Sequence, residues 1–258
     1  MHDLIGVRPS SIILSNCTIW VEGPTDIYYI NSYLDLYSCI HKKRTFLVGY
    51  NYNYAFNGSI NIASKFDFSN SNTPSVKINK ISQSNYLIFD SDNLNEDHAN
   101  FKKIEKIIEK LPNRCCVIRT LKTIENIIPP TILKEYFKIY YKPKDREIKK
   151  IVLEYFDSLC DIYPYSGYYS IDHIDKLSKF VYANASKNNK IKEKKTLMEY
   201  KKYFQGIWKS NKYDLAVFFA EKIKNLDSNE KEKIYRRTLD EFIHMIENIY
   251  KFIAENNK

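Results

Sequence analysis

Glycine is scarce in this chain of 258 residues, which has only six, and none of them falls in a GxxxxGK[ST] or GxGxxG setting. The chain therefore has no glycine-rich loop for cradling phosphates, and no NTPase signal can be read in it. The five cysteines, Cys17, Cys39, Cys115, Cys116 and Cys160, show no CxxC spacing. That excludes a zinc ribbon or a redox pair and predicts buried free thiols in a reducing compartment. No apolar run approaches the roughly 18 residues of a membrane span, and no basic start is followed by an apolar signal core. The expectation is a cytoplasmic protein without a membrane partner. No internal repeat of fixed period occurs.

Apolar residues make up 44% of the chain, enough for a substantial core in one or two domains. Lys and Arg number 40 against 31 Asp and Glu, a formal net charge of +9. Such a balance favours a polyanionic partner such as nucleic acid. The abundance of Lys, Asn, Ile and Tyr is also what a biased coding sequence would give.

The stretch CTIWVEGPTD, residues 17–26, organises the first half. Its alternation and β-branched content predict a buried strand that stops at Glu22. Gly23 permits a tight turn and Pro24 suits the first helical position. The spacing of Ile27, Ile30, Leu34 and Tyr37 then predicts a helix with one apolar face. A second strand is expected over 45–50, a short helix over 59–66 and a surface loop over 67–84. YLIFDSD, residues 86–92, repeats the opening logic: an apolar run stopped by Asp90 and Asp92. A helix over 96–111 and a strand over 115–119 follow, and Glu125 lies on the next loop or short helix. Strands alternating with helices predict an α/β fold, a Rossmann-like and mainly parallel sheet flanked by helices. From 131 onward the chain reads as mostly helical, closing with one long amphipathic helix over 231–254 whose stripe suits a core or a partner helix.

Acids at the carboxyl ends of parallel strands lie where such sheets bind ligands. Neighbouring strands are about 5 Å apart, so Glu22, Asp26, Asp90 and Asp92 can converge. Alternatively, Asp26 is a dipole-stabilising acid of a first helical turn, Glu22 a solvated turn residue and the DSD a polar turn. Converging carboxylates repel and require protons or cations. With no His or Cys in the set, Mg²⁺ or Mn²⁺ is the matching cation. An acidic metal pocket on a cationic protein suits phosphodiester cleavage, in which basic surface holds the backbone.

VEGPTD (21–26) with a later strand ending in DSD (90–92) resembles the TOPRIM domain of topoisomerases, primases and some nucleases. GVRPSSIILSNCTIWVEGPTDIYYIN and KTIENIIPP (122–130) are similar to the OLD (overcoming lysogenization defect) family of nucleases, a likeness covering most of residues 6–130. The resemblance implies a two-metal DNA endonuclease with Glu22, Asp26, Asp90 and Asp92 as ligands and Glu125 as a further acid. NKYDLAVFFAEKI (211–223) resembles the family helix that opens with a functional lysine, here Lys212; a solvated lysine is the competing reading. Thr123 stands where the family shows another acid, which weakens the second metal site. That departure keeps alive a catalytically degenerate module that binds nucleic acid or a partner without cutting. A topoisomerase or primase fits less well, since the chain is short and lacks zinc-ribbon cysteines.

Family members usually carry an ABC-type ATPase before this domain, and GVRPSS resembles the join. The implied organisation is a TOPRIM domain over 1–130 and a helical region over 131–258 that packs back on it and supplies Lys212. The implied partners are DNA and a separate ATPase subunit, in a split or trimmed member serving anti-phage defence. The chain leaves room for a homo-oligomer.

Overall fold

The computed structural model describes residues 15–56, 84–90, 99–111, 113–119, 123–143, 146–162, 173–189, 191 and 195–258. They fall into two compact units, one of residues 1–124 with 240–258, the other of residues 125–239.

The first unit is built on a four-stranded, all-parallel sheet of β1 (Thr18–Val21), β2 (Asn53–Phe56), β3 (Asn85–Asp90) and β4 (Cys115–Ile118), in the order β2-β1-β3-β4. Alternation of side chains sends successive residues to opposite faces. On one face Trp20, Ala55, Leu87, Phe89, Cys115 and Val117 form a buried cluster with Ile104 and Ile107 of α2 (Ala99–Lys110). Tyr86, of the other parity, meets Phe252 of α9 (Asp240–Glu255) at 5.5 Å between ring centroids. Helix α1 (Pro24–Ile40) packs on β1 and on α9, with Tyr33 edge-on to Phe242 at 4.9 Å. The fold is thus the expected α/β sheet flanked by helices.

The second unit is helical: α3 (Pro130–Tyr140), α4 (Arg146–Ile162), α5 (His173–Lys187), α6 (Leu197–Ser210), α7 (Lys212–Asn225) and α8 (Ser228–Arg237). Successive helices from α3 to α7 pack against one another, and α7 returns to α3. Phe137 of α3 and Phe156 of α4 lie 4.8 Å apart at the centre of one such contact. No described helix is long and apolar enough to cross a membrane.

Four expectations need correction. The second strand is Asn53–Phe56, not 45–50, and Leu47 and Tyr50 are exposed by 63% and 70%. Pairing with β1 decides this, because Tyr54 and Ala55 are the residues it buries. The face of α1 is wider than one stripe, since Tyr29, Tyr33 and Leu36 are buried along with Ile30 and Leu34. The single terminal helix is two, α8 and α9, broken at Thr238, whose backbone is extended (ψ 150°) and whose hydroxyl donates to the Ile234 carbonyl at 2.8 Å. A boundary after residue 130 becomes one after 124, with α9 returned to the sheet unit because its apolar stripe covers α1 and β4. The helix expected over 59–66 and the loop expected over 67–84 fall almost wholly outside the described residues.

Candidate metal and phosphate site

Parallel sheets of this order have a defined ligand crevice. The chain passes from β1 to β2 on one side and then crosses to β3 on the other, so the connections reverse direction between β1 and β3. Ligands of open α/β sheets bind outside the carboxyl ends of the two strands at that switch point. Glu22 immediately follows β1, and Asp90 is the last residue of β3. The register pairs Trp20 with Leu87; the same offset sets Glu22 level with Phe89, one residue before Asp90. The sheet therefore brings the backbone positions of Glu22 and Asp90 to neighbouring strand ends.

Asp26 is held on the same turn. Gly23 caps α1 in an extended conformation, with Pro24 at the first helical position. The Asp26 carboxylate accepts from the Gly23 N–H at 2.9 Å through Oδ2 and from the Thr25 hydroxyl at 3.4 Å through Oδ1. This is the helix-start role foreseen as the alternative to ligation, and it leaves the carboxylate further lone pairs. Glu22 is half-buried. The Asp90 side chain and all of Asp92 lie outside the described residues. Among the described residues no three His, Cys, Asp or Glu side chains gather as a metal site.

Glu125 and Lys212 come together. Glu125 lies on a single 3₁₀ turn, Ile124–Ile127, and is 3% exposed. Lys212 opens α7, and its ammonium lies 2.8 Å from Glu125 Oε1 with the lysine side chain 38% exposed. A buried carboxylate needs such compensation, since burying a charge alone is costly. The two residues singled out separately in the sequence are thus one ion pair. Thr123 precedes the 3₁₀ turn with intermediate exposure.

One cation at the sheet's carboxyl edge escaped the sequence reading. Asp90 pairs with Ile118, so Arg119 is the next residue past β4 on the strand beside Asp90. Its N–H donates to Glu241 Oε1 at 2.8 Å, and its guanidinium lies 3.6 Å from Glu105. The signal was present in CCVIR, an apolar strand ending on arginine.

No protein-family model matches the chain, and no curated protein or solved structure shows significant similarity to it.

Proposed function

We propose that this protein is a divalent-metal-dependent endonuclease of TOPRIM type acting on DNA. The observation that carries the proposal is the placement of Glu22 and Asp90 at the ends of β1 and β3, the pair of strands flanking the switch point. Glu22, Asp26 and Asp90, with Asp92 beyond, offer oxygen donors only, a set that fits Mg²⁺ or Mn²⁺ and not zinc. Asp26 can serve while still accepting from the Gly23 N–H, because a carboxylate has about four lone-pair sites. When bound, the cation would activate water and stabilise the leaving oxygen. Arg119 and the chain's net positive charge would hold the phosphate backbone. Lys212, oriented by Glu125, would present its ammonium to a phosphate oxygen, which stabilises developing charge. An ATPase on a separate chain and a role in anti-phage defence are the further parts of the proposal, and their support is the OLD-family resemblance.

The test is nicking of supercoiled DNA with Mg²⁺ or Mn²⁺. Asp90→Ala and Asp92→Ala are expected to abolish it; variants that nick as fast as the unaltered chain overturn the assignment.

A second reading is a binding module that does not cut. The Glu125–Lys212 pair favours it, because a carboxylate neutralised by a lysine has less to offer a cation. Calorimetric titration with Mn²⁺ separates the two readings: heat lost in the Asp90→Ala variant supports the endonuclease, and no binding by the unaltered chain supports the module.

A further inference from the structure

The helical unit carries an aromatic cleft next to Lys212. The described residues lining it are Tyr136, Phe137, Tyr140, Tyr141, Lys142, Tyr203, Ile207 and Asn211, around about 190 Å³ of space. Drug-sized ligands take about 300–1,000 Å³, so the cleft suits one planar ring system. Its walls are a built aromatic stack. Tyr136 and Tyr140 lie 4.9 Å apart and nearly parallel, at 27°, and Phe218 meets both edge-on at 5.5 and 5.8 Å. Tyr136 is buried, whereas Tyr140 is 54% exposed. Tyr140 therefore ends the stack with much of its surface open to solvent.

Charge in the cleft's described lining is positive, and beyond it Asp214, in the first turn of α7, acts on Tyr136. The described lining includes Lys142 and no acid. Lys195 lies over the Tyr203 ring, 4.6 Å from its centroid. Asn211, at the cleft's edge, is the residue before α7, and Lys212 follows it directly. The amino end of that 14-residue helix thus adjoins the cleft, and helix amino ends favour anions. Tyr213, the next residue, is 53% exposed. An open aromatic ring flanked by lysines and a helix amino end matches what unpaired nucleic acid offers: a π-face with a phosphate on either side. A duplex keeps its bases stacked inside and presents one to such a cleft only by flipping it out, at a cost of about a few kcal/mol.

We infer that this cleft takes an unstacked base of a single strand, with Tyr140 as the stacking surface and Lys142 beside the adjoining phosphate. The inference rests on the endonuclease proposal for its substrate class and adds that the strand is unpaired where this unit grips it.

The test is fluorescence anisotropy with the full chain and three labelled probes: an oligothymidylate, an abasic oligomer of equal length and charge, and a duplex. Oligothymidylate should bind about tenfold more tightly than the abasic oligomer, the usual worth of stacking one base on an aromatic ring. Tyr140→Ala should erase that difference, and Tyr140→Phe, which keeps the ring, should preserve it. Equal binding of the base-bearing and abasic probes, or an unchanged preference in Tyr140→Ala, overturns the inference, as does tighter binding of the duplex. Plasmid nicking is measured separately. A chain that nicks without preferring bases refutes the cleft alone, and one that prefers bases without nicking refutes the endonuclease alone.

Discussion

The Lys212 ammonium sits 2.8 Å from Oε1 of Glu125, an acid with 3% of its surface exposed. The asymmetry of burial predicts an asymmetry of mutational cost. Lys212→Ala strands a buried carboxylate, which costs about 3–5 kcal/mol for a fully buried pair; with the lysine 38% exposed, about 1–3 kcal/mol is expected. Glu125→Gln keeps an acceptor for the lysine and leaves the charge on the more exposed partner, so it should cost about 1 kcal/mol or less. Urea unfolding midpoints of the two variants check this. Equal losses would show that Glu125 draws its stability from something other than Lys212.

Asp26 has two roles to separate. Asp26→Ala removes the acceptor that closes the start of α1 and should cost about 1 kcal/mol. Asp26→Asn retains an oxygen for the Gly23 N–H and should lose only about 0.3–1 kcal/mol of dipole interaction. If Asp26 also ligates a cation, both variants lose Mn²⁺ affinity in calorimetry. An Asn variant with normal stability and normal Mn²⁺ binding would reduce Asp26 to its helix-start role.

These side chains show how far the sequence was legible. The opening strand-turn-helix could be read because every signal is local: β-branched alternation through Val21, then Gly23 and Pro24. The pairing of β1 with β3 was expected only as a parallel sheet; which strands are neighbours, and so where the crevice lies, is a long-range property. The second strand was misplaced because Phe46, Leu47 and Val48 have the better strand composition, but alignment with β1 selected Asn53–Phe56. The break before α9 did have a local signal, since Thr238 and Glu241 stand at capping-box spacing. Glu241 also accepts from the Arg119 N–H, a contact 122 positions away in the chain. Glu125 and Lys212 entered the sequence reading as separate residues, and no local pattern could show that they touch across 87 positions (212 − 125).

Acid should loosen the packing of α5 on α6. Asp175 on α5 bridges Lys179 and Lys201, each at 2.8 Å. Hydrogen bonds from the two lysines hold its carboxyl down from 3.8 to about 2. A group depressed in the folded state binds its proton more readily when unfolded. Its stabilisation is therefore present above about 3.8 and lost as pH falls toward about 2. The unfolding midpoint of the unaltered chain should drop across that window more steeply than that of Asp175→Asn. Parallel pH profiles would mean that the two lysines add nothing in solution.

The thiols give the last prediction, and it bears on the sheet. Burial pushes Cys17, just before β1, and Cys115, the first residue of β4, up to about 12. The thiolate is the reactive form, so at pH 8 both are protonated as well as inaccessible. Cys39, near the end of α1, is exposed. Alkylation of the native protein followed by peptide mass mapping should therefore label Cys39 first and leave Cys17 and Cys115 intact. Labelling of the two buried thiols should rise together as denaturant is added, because both sit in one sheet whose strands pair through β3. If Cys115 reacts well below the concentration that exposes Cys17, β4 separates from the sheet before β1 does. The crevice between β1 and β3 would then belong to the more stable part of the unit.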